Sequence, residues 1–358
     1  MKQLLFINPF FEEELVSSAN TIEEYLSRHL IYLQLHYLSC VLTEDSESAL
    51  LLFPPEEGYF ERIELLGLTP PSVVFLQSPL EKKQALSSWG PSLLLAEWAL
   101  NKNCFYKIPN WDLIKQVNGK DFSFALSPKL PGAELLASES DIITWYHAGR
   151  GPKVLKTLYG ASGRGHCILY KENEEDLAIQ FFRREKARSP YIIAEPWVER
   201  VLDFSSQWYI AEGGLISYLG ATICENSPRG IYRKSLVGPI DLLFKENQGF
   251  LEEHLMYAKK ALEKMGGLGF FGPVGFDAMV YKHPQTSKVT LQPIVEINAR
   301  RTMGWVALRL YQKLHLEGLA SFSYELKKTG RESFLPHYAI DGKKGLIPLP
   351  GQLVLDLL

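Results

Sequence analysis

Two stretches late in the chain set acids and an amide where they can act together. Asp277 lies in Gly275-Phe276-Asp277-Ala278-Met279-Val280, a run of strand character, and Glu296 and Asn298 close a second such run that begins at Val289. Alternate residues of a strand share a face, so Glu296 and Asn298 project together and an antiparallel neighbour would add Asp277. Two carboxylates and an amide oxygen make a hard oxygen site of the kind Mg²⁺ takes alongside phosphate oxygens. Two such ions would bridge the β- and γ-phosphates of a nucleotide. Arg300, two residues further on, falls on the same side if the strand continues, where it would stabilise charge on a transferred phosphoryl group. A buried polar cluster at a strand end, or a Glu296–Arg301 salt bridge, would use the same residues without any chemistry.

Three earlier segments carry complementary signals. Lys156 sits inside the apolar run Lys153 to Leu158, from which it could reach a phosphate. The loop that follows, Gly160-Ala161-Ser162-Gly163-Arg164-Gly165, has three glycines that let backbone N–H groups fold onto phosphate oxygens. It is no P-loop, because no Gly-Lys-Ser/Thr follows, and a plain glycine-rich hairpin would look alike. In Glu195-Pro196-Trp197-Val198, the proline interrupts a β run, so nearby backbone could offer the donor and acceptor that an adenine edge needs. Trp197 or Val198 would form an apolar wall and Asp203 could accept from a ribose hydroxyl; taken alone, the segment fits an ordinary edge-strand proline with a surface acid better. Gly267-Leu268-Gly269-Phe270-Phe271-Gly272 matches GxGxxG but follows a helical segment and opens a strand, the reverse of a dinucleotide fingerprint, and reads as a turn.

The elements that must hold these groups are legible in outline. The 358 residues suggest two or three structural units. Residues 1–110 read as an α/β unit: a strand from Leu4 to Asn8, a helix from Thr21 to about Tyr37 with Thr21 as N-cap and Glu24 as its capping-box partner, strands at Leu50 to Phe53 and Ser72 to Leu76, and a helix from Pro91 to Leu100. From Trp111 short β runs alternate with glycine turns. Ser206 to Ile210 and Leu215 to Cys224 read as a hairpin about Gly213-Gly214, Leu251 to Met265 as a helix ended by Gly266-Gly267, and Met303 to Leu314 as a helix. Arg331 to Leu358 shows Gly and Pro signals and no clear element.

Bulk composition narrows the function classes. A charge of −3 with scattered Lys and Arg gives no stripe for nucleic acid. Cys40, Cys104, Cys167 and Cys224 lie far apart with no CxxC, which disfavours a zinc site or a disulfide framework and suits reduced thiols in the cytoplasm. Leu4-Leu5-Phe6-Ile7 is too short, and Glu12, Glu13 and Glu14 too acidic a sequel, for an export signal. No apolar run approaches the ~20 residues of a membrane helix.

In the order lysine, glycine-rich loop, hinge, acid and Glu-x-Asn, residues 111 to 320 resemble the ATP-grasp superfamily, which includes D-alanine–D-alanine ligase, biotin carboxylase and glutathione synthetase. That resemblance implies an α/β (α+β) fold in which two α+β subdomains, 111–200 and 201–330, grip the nucleotide, with residues 1–110 as a preceding pre-ATP-grasp domain and 331–358 as an extension. It implies that Lys156 meets the phosphates and that Ser162, Gly163, Arg164 and Gly165 form a lid. Glu195, Pro196, Trp197 and Val198 would be the adenine hinge and Asp203 the ribose acid. Asp277, Glu296 and Asn298 would hold Mg²⁺, with Mn²⁺ as a substitute, and Arg300 would face phosphate as a catalytic group with Lys156. Lys120, in Asn118-Gly119-Lys120-Asp121-Phe122, resembles an earlier nucleotide-contacting lysine, and Lys234 falls where a substrate- or phosphate-side cation is often found. Arg301-Thr302-Met303-Gly304-Trp305 departs from the substrate loops of the named ligases, which leaves the substrate open.

The expected activity is a Mg-ATP-dependent ligase that activates a carboxylate as an acyl phosphate for attack by an amine or thiol, releasing ADP and phosphate. Its partners would be small-molecule carboxylates and amines, with no nucleic acid and no membrane; the sequence leaves homo-oligomer formation open. A phosphotransferase acting on a small acceptor, or a non-catalytic ATP-binding module, uses the same motifs.

Overall fold

A computed structural model of the chain describes residues 2–17, 21–80, 83–160, 165–171, 173–326, 330–343 and 345–358. The first sheet is parallel. Its strands β1 (Gln3–Phe6), β2 (Glu47–Leu51), β3 (Ser72–Phe75) and β4 (Ala85–Ser88) lie in the order β3-β2-β1-β4. Leu4, Leu5, Phe6 and Ile7 are all buried, as the continuous apolar run of a covered parallel strand requires. The helix expected from Thr21 to Tyr37 is two helices, Ile22–Arg28 and Leu30–His36, because His29 takes extended backbone between them. Thr21 caps the first, accepting the Glu24 N–H at 3.0 Å.

The second sheet is antiparallel and follows from a helical pair, Trp111–Asn118 and Lys120–Leu126. It holds β5 (Glu134–Leu136), β6 (Lys153–Lys156), β7 (His166–Leu169) and β8 (Ile192–Pro196) in the order β5-β8-β6-β7. The helices Glu139–His147 and Glu175–Lys186 cover it through Trp145, Phe181 and Phe182, which pack on Leu155, Ile192 and Ala194.

The third sheet is antiparallel and has seven strands. Six come in sequence: β9 (Glu199–Ile210), β10 (Ile216–Asn226), β11 (Tyr232–Val237), β12 (Gly272–Lys282), β13 (Val289–Asn298) and β14 (Ala320–Glu325). A separate hairpin of β15 (Tyr338–Asp341) and β16 (Gly345–Pro348) precedes β17 (Gln352–Leu357), which returns to pair with β14. The order is β13-β12-β9-β10-β11-β14-β17. Helices Gln248–Gly267 and Met303–Lys313 pack against this sheet.

Two expectations are corrected. The long helix does not stop at Met265; it runs through Gly267, and the left-handed residue that ends it is Gly269, at φ +94°. Residues 331–358 are not without elements, since they supply three strands. Their proline and glycine signals mark the turns between those strands, while Leu353 and Val354, both buried, anchor the last one. All four cysteines are free thiols. Among the described residues no helix is long and apolar enough to cross a membrane.

Candidate functional site

The acidic centre is built by β12 and β13. Their register sets Asp277 opposite Glu296 and Gly275 opposite Asn298, so the three polar side chains share one face, as alternation predicts. Gly275 is obligatory for close approach: a Cβ there would stand 2.5 Å from Thr302 Cγ2. Asn298 Nδ2 donates to Asp277 Oδ2 at 3.1 Å, and Asn298 Oδ1 accepts from Arg300 Nη2 at 2.9 Å. Glu296 is bound by Lys120 Nζ at 2.8 Å. Burial and the facing Glu296 charge push the Asp277 carboxyl up to about 6, against hydrogen bonds from Ser205 and Asn298 and the charge of Arg300. Burial also opposes ionisation of Glu296, yet the Lys120 ammonium beside it, with Arg300 behind, holds that carboxyl below the usual range.

Two facing acids of which one is held protonated at mildly acid pH form a site short of positive charge, and a divalent cation would relieve it. Among the described residues no three His, Cys, Asp or Glu side chains converge, and the amide oxygen of Asn298 is the oxygen donor that stands beside the two acids. That amide would turn over to offer its oxygen to a metal, giving up the Arg300 contact. The donor set, hard oxygens from Asp277, Glu296 and Asn298, fits Mg²⁺.

A cleft between the second and third sheets lies beside this centre and is joined to it through Lys120, which lines the cleft and holds Glu296. Lys120 and Lys156 line its floor, with Val154 and Ile193 on one wall and Met279 and Ile294 on the other. Lys156 Nζ lies 2.5 Å from Glu195 Oε2, a contact across the paired strands β6 and β8. Lys120 opens its helix, and its ammonium also donates to Gly160 O at 2.8 Å, tying the start of the glycine-rich loop to Glu296. The loop closes at Gly165, whose φ of +92° suits glycine and where a Cβ would meet Thr157 Oγ1 at 2.3 Å. His166, the next residue, is pushed down to about 3 by burial and by Lys156 and Lys120, so it stays neutral beside the two lysines. At the mouth Arg200 stacks on Trp197, 4.9 Å from the ring centroid, and donates to Asp203 Oδ2 at 3.1 Å; Asn226 Nδ2 donates to the same oxygen at 2.9 Å.

No protein-family model matches the sequence. Solved structures do. Phosphoribosylamine–glycine ligase from Thermotoga maritima superposes with a TM-score of 0.57 at 11% identity, over 99% of this chain and 92% of that one. N5-carboxyaminoimidazole synthetase from Staphylococcus aureus gives 0.55 at 11%, over 99% and 93%. A biotin carboxylase–β,γ-ATP complex from Campylobacter jejuni gives 0.55 at 12%, over 99% and 86%. These neighbours are ATP-grasp enzymes, and the match runs the length of the chain. The chain has the ATP-grasp fold.

Within the ATP-grasp frame, the structure brings most of the sequence-predicted residues to one cleft. Asp277, Glu296, Asn298 and Arg300 cluster, Lys120 joins them, and Lys156, Glu195, Pro196, Trp197 and Val198 line the adjoining slot. Ser162, Gly163 and Arg164 lie outside the described residues; Gly165 is within them. Lys234 stands apart: it pairs with Glu225 at 3.2 Å across β10 and β11 and is not a lining residue of the cleft. The hinge backbone is less open than its proline suggests, since the Trp197 N–H donates to Pro152 O at 2.8 Å. The suggested Glu296–Arg301 bridge does not form. Glu296 takes Lys120 instead, and Arg301 turns to Ser87 and Ser88.

Sequence reasoning missed Glu12. Its carboxylate meets Arg300, with Nε to Oε1 at 2.7 Å and a second contact from Nη2, so the first unit contributes a side chain to the cluster. Glu12 Oε2 is buried without a described hydrogen-bond partner. The acidic run Glu12 to Glu14 was the only available signal, and it spoke to targeting alone. Trp89, whose ring centroid is 6.0 Å from the Arg300 guanidinium carbon, had no signal at all.

Proposed function

We propose that the chain is a Mg-ATP-dependent ligase that activates a small carboxylate as an acyl phosphate and passes the acyl group to an amine, releasing ADP and phosphate. The observation that carries this reading is the facing pair Asp277 and Glu296, with Asn298 beside them and Arg300 within hydrogen-bond reach of the amide. Its support in the fold is the likeness to ATP-grasp enzymes, among them a carboxylase domain crystallised with MgADP and bicarbonate.

Asp277, Glu296 and Asn298 would hold Mg²⁺, which neutralises phosphate charge when bound. Lys156 and Lys120 are the cations of the floor and would bind phosphate oxygens once released from Glu195 and Glu296. Val154, Ile193, Met279 and Ile294 line an apolar slot of about 30 Å³ that would have to widen to take a purine, with Pro196 to Val198 also lining it, and Asp203, now bonded to Arg200 and Asn226, would accept from the ribose. Ser162, Gly163, Arg164 and Gly165 would cover the phosphates and keep water from the acyl phosphate. Arg300 would stabilise the developing charge, and the free oxygen of Glu12 beside it would accept an N–H from the attacking amine.

The test is an ADP-release assay over pooled amino acids, peptides and small acids, with mass detection of the product. The reading requires ADP and free phosphate in equal amounts together with an amide. AMP and pyrophosphate would overturn it, and phosphate retained on the product would make the enzyme a phosphotransferase.

A further inference from the structure

A second cavity, of about 220 Å³, lies apart from the nucleotide cleft, between one face of the first sheet and the helix Met303–Lys313. The parallel register explains its wall. Gln3 stands opposite Glu47 and Leu5 opposite Ser87, so Leu5, Glu47 and Ser87 all project from the same face. Leu42, Leu219 and Leu308 complete an apolar lining, and Arg309, ion-paired with Glu44, stands with it among the lining residues.

Two opposite charges face this cavity, near enough to feel each other yet without an ion pair. Arg301 turns away from its neighbour Arg300 and into the cavity, with its guanidinium carbon 4.5 Å from the Trp305 ring centroid. It donates to Ser88 O at 2.8 Å and Ser87 Oγ at 2.7 Å, both neutral acceptors, although the group has five N–H donors. Burial pulls it down to about 10, with the Glu47 charge opposing that. Glu47 accepts the Glu44 N–H at 2.9 Å through one carboxylate oxygen only, and burial pushes it up against the charges of Arg301 and Lys313. Among the described residues neither Arg301 nor Glu47 makes an ion pair. A separated cation and anion on the walls of a cavity lined half by apolar and half by polar side chains match a ligand that carries both charges beside an apolar group, because a simple carboxylate would leave Glu47 without an ion-pair partner and a simple amine would leave Arg301 so. An apolar cavity of ~150 Å³ admits benzene, so this one admits about nine heavy atoms.

We propose that this cavity binds a free aliphatic α-amino acid of leucine's size, its carboxylate on Arg301, its ammonium on Glu47 and its side chain among Leu5, Leu42, Leu219 and Leu308. The site is independent of the nucleotide reading and stands whether or not the other cleft turns over ATP.

Titration calorimetry on the full chain, without nucleotide, tests it with three probes: L-leucine, 4-methylpentanoate, which lacks the ammonium, and 3-methylbutylamine, which lacks the carboxylate. L-leucine binds, and each truncated probe binds about tenfold weaker or worse. Glu47→Gln makes L-leucine and 4-methylpentanoate equivalent, Arg301→Gln removes the preference for L-leucine over the amine, and Leu308→Trp, which fills the cavity and keeps both charges, abolishes binding. Equal binding of the acid and L-leucine by the unaltered chain, no heat from L-leucine, or L-leucine binding unchanged in Leu308→Trp overturns the proposal. Displacement of L-leucine by saturating Mg²⁺ and a non-hydrolysable ATP analogue overturns it too, since that would place the amino acid in the nucleotide cleft. The probe comparison needs no variant, so it decides the matter even if Arg301→Gln fails to fold.

Discussion

Arg300 is held between Asn298, on its own strand end, and Glu12, in the short helix Phe11–Val16 after the first strand, 288 positions earlier. The guanidinium therefore locks the acidic centre of the third sheet to the first unit. Side-chain exposure of 13% for Arg300 and 20% for Glu12 makes this a mostly buried pair. Glu12→Gln leaves the cation without its counter-charge and is expected to lower unfolding free energy by about 2 kcal/mol, read by urea denaturation. A change below a few tenths would mean that the pair is solvent-relaxed.

Asp277 carries the pH behaviour of the centre. Its carboxyl is raised from 3.8 to about 6, so the metal-free folded state binds a proton that the unfolded state has already lost across that interval. The Asp277 contribution to stability is full below about 4 and disappears as pH rises through about 6. Asp277→Asn should flatten the slope of stability between these limits in EDTA, and leave a metal-free protein at pH 7 no less stable than the parent. A slope that persists in the variant would assign it to another group.

The same substitution should end Mg²⁺-dependent nucleotide binding. If Asp277 holds Mg²⁺ as proposed, the ion would compete with the proton there, so apparent Mg²⁺ affinity in the presence of nucleotide should fall as pH drops below about 6. Calorimetry with a non-hydrolysable ATP analogue at pH 5.5 and 7.5 checks both points, and equal affinity at the two pH values would contradict them.

Lys156 sits in a paired strand with its ammonium on Glu195, at side-chain exposures of 10% and 16%, so its removal leaves a buried carboxylate unpaired and costs stability as well as chemistry. Lys156→Met is expected to lower the thermal midpoint and, assayed well below that midpoint, to reduce kcat/KM for ADP release about 100-fold or more. Activity within a fewfold of the parent would remove Lys156 from phosphate binding.

Gly165→Ala forces a side chain onto backbone at φ +92° and against Thr157 Oγ1. Strain of order 1–3 kcal/mol falls on the loop closure, where Thr157 N–H donates to Gly165 O at 3.0 Å. Faster hydrogen exchange at the Thr157 amide is the expected readout, and unchanged protection would show that the closure relaxes without loss.

The acidic centre was legible because it obeys local rules. A period of two along β13 puts Glu296 and Asn298 on one face, and antiparallel pairing with β12 needs only the short turn between them. Lys156 was legible as a lysine in an apolar run, but its partner Glu195 was read only as part of a hinge. Glu12 and Trp89 were not legible, because nothing local ties them to Arg300. Their meeting depends on how the first sheet docks, which is a tertiary fact. The break at His29 and the run of the long helix through Gly267 show the same limit, as the helical pattern continues across one and a glycine pair fails to stop the other.

The returning C-terminal stretch decides which part of the molecule can swing. Gln34 donates to Pro336 O and Gly351 O at 2.9 and 2.6 Å, Tyr59 donates to Phe334 O at 2.9 Å, and Ile340 N–H donates to Pro54 O at 2.8 Å. With β17 zipped to β14, the last residues rivet the first sheet to the third. Among the described residues the second sheet makes no hydrogen bond to this C-terminal stretch. It is tethered near the cleft by the Lys120–Leu158 and Lys120–Gly160 hydrogen bonds and by Tyr191 on Asp121. Any widening of the cleft would therefore fall on one small jaw, strands β5 to β8 with their two helices, set against the anvil that the first and third sheets form together.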